Sequence, residues 1–282
     1  MEPSPVPAPD PKWAVVPAAT RRRLMVPVTI GGEQVALGVI LYTPAGGGPF
    51  PTLIFHHGST GFLNDPFLVA HPFDPTALVG WFTARGWAVA LPSRRGRGGS
   101  QGLYDEGVLR NGTPGYSAEP KVTLAGAERA LADIDALTPV LLDMPFVDRT
   151  RFAVGGQSRG GILSLAWSAR RPTLPRAVVN FVGGWLGGGS PTGAAVNQSL
   201  MTPHAADAPA SLWLYGDQDP YYPLASSRAN FAAFKAAGGR GTFHDFQPPA
   251  GLTGHEIVWE PALWSATLEA YLGERGLPAR AA

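Results

Sequence analysis

The chain of 282 residues has no cysteine, so disulfides, thiolate metal sites and a cysteine nucleophile are all excluded. It has no excess of charge of either sign: 22 basic against 21 acidic residues leave a net charge of +1. That balance gives no reason to expect nucleic acid or an anionic membrane as partner. No apolar run approaches the ~18 residues of a membrane-crossing helix, so no transmembrane segment is expected. The opening MEPSPVPAPDPKW has no basic stretch followed by an apolar core, and no export signal is read there. The cytoplasm is therefore the default expectation, with export requiring a leader removed from this sequence. The dense basic run Arg21-Arg22-Arg23 reads as a solvated face near a strand.

What is abundant is apolar residues, at 45%, together with 36 glycines and 29 prolines spread along the chain. A sizeable core and many tight turns follow. Residues 1–20 read as a Pro-rich lead-in and residues 21–282 as one domain with long loops at about 92–120 and 183–209. Strand patterns fall at Met25–Ile30, Val35–Tyr42, Thr52–His56, Trp87–Leu91, Arg151–Val154, Ala177–Val182, Ser211–Tyr215 and Thr242–Phe246. Helical patterns fall at Thr76–Arg85, Val122–Leu137, Ala225–Ala237 and Val258–Leu272. Apolar strands alternating with helices predict a mostly parallel α/β sheet, whose ligands gather at the C-terminal ends of the strands.

At one such end stands AVGGQSRGGILSLAW, residues 153–167. A strand runs into glycines, then Ser158, then more glycines, and a helix-spaced run of Ile162, Leu163, Leu165, Ala166 and Ala169 follows. Gly156-Gln157-Ser158-Arg159-Gly160 matches G-x-S-x-G, the turn that lifts a nucleophilic serine above a sheet. A serine hydroxyl needs a base, and the base needs an orienting carboxylate. Strand SLWLY leads into Asp217 and Asp219. His255 lies in a loop after the last strand, whereas His244 falls inside a strand pattern. Taking Asp219, the chain order is Ser158, Asp219, His255: nucleophile, acid, base. The oxyanion of a tetrahedral intermediate would be held by the backbone N–H groups of Arg159 and Ser59. The second comes from the loop His56-His57-Gly58-Ser59-Thr60-Gly61.

His56 and His57 are expected to be a buried, hydrogen-bonded pair that shapes this loop. With no acid cluster nearby they make a poor metal site, and no metal is expected. Arg94, Arg95 and Arg97 could meet a substrate carboxylate, but at least two of them are expected to bind loop carbonyls instead. Phe62, Tyr104, Tyr116, Trp185, Tyr221 and Tyr222 are the aromatic candidates for a substrate pocket.

The segments FHHGSTG, LPSRRGRGGSQG, VGGQSRGG and LYGDQDPYYP with TGHE resemble the α/β-hydrolases. They are most similar to the dienelactone-hydrolase-like branch and to the catalytic domains of prolyl-oligopeptidase-type esterases. The resemblance runs over residues 52–256. It implies a central sheet of about eight strands with helices on both faces, Ser158 as nucleophile, His255 as base and Asp219, three after the glycine, as acid. It also implies an arginine–glycine step after the fourth strand that braces the site. The founding dienelactone hydrolases use a cysteine nucleophile; its absence here favours a serine esterase acting on a small-molecule ester without cofactor. A small-peptide or amide hydrolase and a non-catalytic binding protein on the same fold are the other two readings. Acyl chain, alcohol and oligomeric state carry no signature in the sequence.

Overall fold

Two eleven-residue strands, β1 (Thr20–Ile30) and β2 (Glu33–Thr43), form an antiparallel hairpin. Gly31 and Gly32 join them at φ 60° and 85°, the left-handed geometry that a two-residue hairpin turn demands. The computed structural model describes residues 19–61, 66–109 and 115–279. Most of the Pro-rich lead-in and Phe62 lie outside the described residues.

The next strands are β3 (Phe50–His56), β4 (Ala88–Pro92), β5 (Val147–Gln157), β6 (Ala177–Phe181), β7 (Ser211–Gly216) and β8 (Gly241–Phe246). They join one eight-stranded sheet in the order β1-β2-β4-β3-β5-β6-β7-β8. The β1–β2 and β2–β4 pairs are antiparallel and the other five parallel. β4, β6 and β7 are buried at every residue, because helices cover the sheet and leave no solvent face to favour polar alternation. β1 is an outer strand. Arg21, Arg22 and Arg23 on it are exposed, and it accommodates Pro27.

The helices are α1 (Pro66–Ala70), α2 (Thr76–Thr83), α3 (Pro120–Leu142), α4 (Arg159–Arg170), α5 (Gly193–Met201), α6 (Leu224–Ala236) and α7 (Pro261–Glu274). α3, α4, α5 and α6 pack against one another, and α2 packs against α7. Trp264 of α7 is fully buried, with ring centroids 5.6 Å from Trp81 and 5.3 Å from Phe181, both edge-on.

Several expectations need correction. The stretch 183–209 is not all loop, because α5 lies within it. α3 runs on to Leu142 and takes in Pro139 in its last turn, where the bond forgone is the one to the Asp135 carbonyl. β1 starts at Thr20, earlier than its apolar pattern, because the Arg21–Arg23 backbone pairs with Ile40–Tyr42 whatever its side chains. The terminal helix divides in two. A 3-10 turn, Gly254–Trp259, comes first, and Pro261 opens α7. His255 therefore sits on that turn and not in a loop.

Candidate active site

β5 delivers Gln157 to the rim of the sheet and α4 departs from Arg159, so the chain reverses over Ser158 alone. Ser158 has φ 57° and ψ −124°, a strained conformation for a residue with a side chain. Its neighbours over-determine it. Its N–H donates to the Phe181 carbonyl at 2.9 Å, and its own carbonyl accepts from Gly161 at 3.0 Å and Gly184 at 3.2 Å. The glycines answer to crowding. A Cβ on Gly160 would stand 2.0 Å from the His56 carbonyl oxygen, and one on Gly58 would stand 2.8 Å from Ser158 Cβ.

The loop after β7 carries Asp219, which is 4% exposed. Asp219 Oδ1 accepts the backbone N–H of Tyr221 at 2.8 Å and of Tyr222 at 3.0 Å. Oδ2 is left for His255 Nδ1, at 2.9 Å. With Nδ1–H donated to the carboxylate, His255 presents Nε2 as its basic atom. Asp217 is turned elsewhere, with Oδ1 accepting the N–H of Gln218 at 2.9 Å. His244 lies within β8.

The turn under His255 is fixed at its start by a capping box. Glu256 Oε2 accepts from the Thr253 N–H at 2.8 Å and the Thr253 hydroxyl at 2.9 Å. The rings of Tyr221 and Tyr222 flank the imidazole at 4.8 and 5.7 Å. Gln157, the residue before Ser158, donates Nε2–H to the His255 carbonyl at 2.8 Å. The hydroxyl of Tyr222 donates to the Gly184 carbonyl at 2.7 Å, and burial pushes its pKa up to about 12. No hydrogen bond joins Ser158 to His255 among the described residues; contacts of this kind commonly tighten only when substrate is bound.

Beneath Ser158 lies a buried polar cluster. His57 Nδ1–H donates to the Gly58 carbonyl at 2.8 Å, while its Nε2 accepts the Arg94 backbone N–H at 3.1 Å. These two partners fix the tautomer. Burial, followed by the Arg94 charge, pulls the His57 pKa down to about 3, so the ring is neutral. Arg94 donates to the His57 carbonyl at 2.8 Å and to the Gly58 carbonyl at 3.0 Å. The Gly58 carbonyl and the Ser59 N–H belong to one planar peptide unit. Donors gripping the carbonyl therefore set the direction of that N–H.

Arg94 also ion-pairs with buried Glu106, which accepts from the Tyr104 hydroxyl at 3.2 Å and lies 3.5 Å from Arg159. Burial raises the Glu106 pKa, but Arg94 and then Arg159 more than offset this and hold it at about 2. The arginines thus brace the loops. Arg95 pairs with Asp133, and Arg97 donates to Thr60 Oγ1 at 2.8 Å and to the Gly61 carbonyl at 3.1 Å. The histidine expectation holds only for His57. His56 is equally buried, yet neither ring nitrogen has a hydrogen-bond partner among the described residues, and burial with the nearby Arg94 charge drives its pKa well down.

Of the expected pocket residues, Tyr221 is 58% exposed beside His255, and Tyr222 is buried between Asp219 and Gly184. Tyr116 hydrogen-bonds Ser59 Oγ at 2.5 Å. Tyr104 and Trp185 are enclosed by protein, Trp185 donating its indole N–H to the Thr123 carbonyl at 2.9 Å. Sequence reasoning passed over Gln157, whose partner His255 lies 98 residues away, and Glu106, which lies in a loop with no periodic pattern. Among the described residues no group of three or more His, Asp or Glu could hold a metal, and no helix is long and apolar enough to cross a membrane.

No protein-family model matches the chain, and no curated protein matches it in sequence. Solved structures do match. A dienelactone-hydrolase-like protein of Klebsiella pneumoniae superposes with a TM-score of 0.60 at 19% identity, over 91% of this chain and 99% of its own. An acetyl xylan esterase from Thermoanaerobacterium gives 0.57 at 21% identity, over 84% and 81%. The acylaminoacyl peptidase of Pyrococcus horikoshii gives 0.63 at 15%, over 94% of this chain but 43% of the peptidase. The chain therefore has the α/β-hydrolase fold. Its form of that fold is the one found in dienelactone-hydrolase-like proteins and acetyl xylan esterases, and its neighbours also include peptidases.

Proposed function

We propose that this chain is a serine hydrolase that cleaves carboxylic esters through an acyl-enzyme on Ser158. The observation that carries the reading is the His255 Nδ1–Asp219 Oδ2 hydrogen bond at 2.9 Å, on an acid whose other oxygen is held by two backbone N–H groups. His255 Nε2 takes the Ser158 proton as the hydroxyl oxygen attacks the ester carbonyl. Asp219 stabilises the imidazolium that forms. The backbone N–H groups of Ser59 and Arg159 receive the oxyanion. The C–O bond to the alcohol then breaks as His255 returns the proton to the leaving oxygen. Water, deprotonated by His255, attacks the acyl-enzyme and releases the acid and Ser158. Tyr221, exposed beside His255, is the aromatic surface best placed to meet substrate. The chemistry calls for no metal or cofactor.

Intact mass after treatment with a fluorophosphonate tests the reading. A single adduct on the wild type, absent from Ser158→Ala, is expected; no adduct on folded wild-type protein would put a non-catalytic binding protein in its place. The likeness to the peptidase keeps amide hydrolysis as the second reading. Matched p-nitrophenyl esters and p-nitroanilides separate the two, and faster ester cleavage is expected.

A further inference from the structure

The Ser59 N–H, one of the two proposed oxyanion donors, bonds no acceptor among the described residues. Its peptide lies against the nucleophile: a Cβ on Gly58 would stand 3.4 Å from the Ser158 hydroxyl oxygen. The carbonyl end of that peptide is gripped by Arg94 and His57. The other end belongs to Ser59, which is exposed and follows a glycine with no Cβ to restrict its turning. A peptide held at one end can still pivot, and its N–H with it.

The Ser59 side chain supplies the second hold. Its Oγ lies 2.5 Å from the Tyr116 hydroxyl, which lies 2.8 Å from the Tyr104 hydroxyl, and Tyr104 donates to Glu106 Oε2 at 3.2 Å. Tyr116 also reaches the Gly61 carbonyl at 3.0 Å. A carboxylate and a carbonyl only accept, and this orders the protons. Tyr104 gives its proton to Glu106, Tyr116 gives to Tyr104 or to Gly61, and Ser59 gives to Tyr116. A chain of hydroxyls that ends on a charged acceptor is strengthened along its length.

Tyr116 is itself firmly placed. Its isolated bridge to Val108, and the bond from the Ser117 N–H to the Gly107 carbonyl at 2.8 Å, fasten its backbone beside the Glu106 segment. The Arg159 guanidinium lies 3.6 Å from its ring centre and donates to the Glu106 carbonyl at 2.9 Å. Arg159, whose backbone N–H is the other proposed donor, thus rests on the same support.

Building on the serine-hydrolase reading, we propose that Tyr116 is a positioning residue for the oxyanion site: its hydroxyl carries the fixed position of Glu106, through Tyr104, to Ser59 and so aims the Ser59 N–H. Its effect falls on turnover and not on substrate affinity, because the oxyanion exists only beyond the ground state. Acylation and deacylation both pass through that oxyanion, so kcat falls and KM holds whichever step is slower.

The test is steady-state hydrolysis of p-nitrophenyl acetate by the wild type, Tyr116→Phe, Ser59→Ala and the double variant. Inhibition by a trifluoromethyl ketone, whose serine adduct carries an oxyanion, is measured beside it. Tyr116→Phe should lower kcat about tenfold with KM within about twofold, short of the about 100-fold that loss of a donor costs. The ketone should bind more weakly by about the same factor as kcat falls. Ser59→Ala should match Tyr116→Phe, and the double variant should be no worse than either single, since all three remove one bond. Should Tyr116→Phe fail to fold, Tyr104→Phe breaks the same chain one link further in and carries the same expectations. Unchanged kcat in a folded variant, a change in KM alone, or losses that add in the double variant overturn the Tyr116 assignment alone. No hydrolysis by the wild type, with no fluorophosphonate adduct, overturns the serine-hydrolase reading and this proposal with it.

Discussion

The side-chain amide of Gln157 donates to the main-chain carbonyl of His255 at 2.8 Å, across 98 residues of sequence. The residue before the candidate nucleophile thus holds the segment that carries the candidate base. Gln157→Met keeps the length of the side chain and removes the donor. Its kcat should fall about tenfold or more with KM nearly unchanged, since small misplacements of reacting groups cost rate and not binding. Steady-state kinetics beside a thermal melt would check this; unchanged kcat in a folded variant would show that the other supports of the turn suffice.

Asp219 and Asp217 are two residues apart and should respond very differently. In Asp219→Asn the remaining carbonyl oxygen can keep the Tyr221 and Tyr222 N–H groups, which turns an NH2 toward His255 and forces the wrong tautomer. A loss in kcat of about 10⁴-fold is expected, with the fold retained. Asp217→Asn should leave kcat within about twofold, because that side chain bonds its neighbour's N–H and not His255. Equal effects in the two variants would reverse the assignment of the acid.

Removing Arg94 takes away the better partner of buried Glu106 and two of the hydrogen bonds that hold the His57–Ser59 backbone. Arg94→Met should lose about 3–5 kcal/mol in urea unfolding, as expected when one member of a buried ion pair is deleted. The double variant Arg94→Met/Glu106→Gln should recover part of that loss. If the double variant is no better than the single, the carboxylate is not the source of the penalty.

Stability should fall on mild acidification. His57 and His56 are both held below the ordinary histidine pKa, first by burial and then by Arg94. The unfolded chain therefore binds protons below about pH 6.5 that the native chain refuses. Their contribution is fully present above that pH and is lost as pH falls below it; for His57 the loss runs on toward pH 3, at about 1.4 kcal/mol per unit. Glu106, held at about 2, adds a loss in the same direction below about pH 4.5. Urea midpoints at pH 7, 6 and 5 would show the slope; a flat series would mean that these rings accept protons in the folded state.

The strand, turn and helix around Ser158 were legible because their signals are local: a glycine cluster, a run of buried strand residues and a change of period. Asp219 and His255 were legible as residues just beyond strand patterns. α5 was not, although its buried Gly193, Val196, Asn197, Leu200 and Met201 fall at helical spacing, because it is nine residues long, two of those five positions are Gly and Asn, and it sits in a Gly/Pro-rich stretch. Asn197 on α5 is clamped by long-range bonds, accepting from the N–H groups of Trp185 and Leu186 and donating to the Leu186 carbonyl. Gln157 escaped for the same reason, because its partner His255 lies 98 residues away, and Glu106 meets Arg94 only because the loop between them folds back on itself. Local pattern finds elements, while contacts made only in three dimensions leave no period to read.

The outer strand β1 bears on a different property of the molecule. An outer strand leaves a row of main-chain N–H and C=O groups without strand partners, a template on which another chain could add a strand. β1 carries three consecutive arginines and Pro27 along that row. A second copy approaching this edge would meet a block of like charge, and the proline withholds a donor where a new ladder would need one. An edge with these residues disfavours growth into an intermolecular sheet, while Arg21 also pairs with Asp74 and Arg23 donates to the Gly98 carbonyl at 2.9 Å.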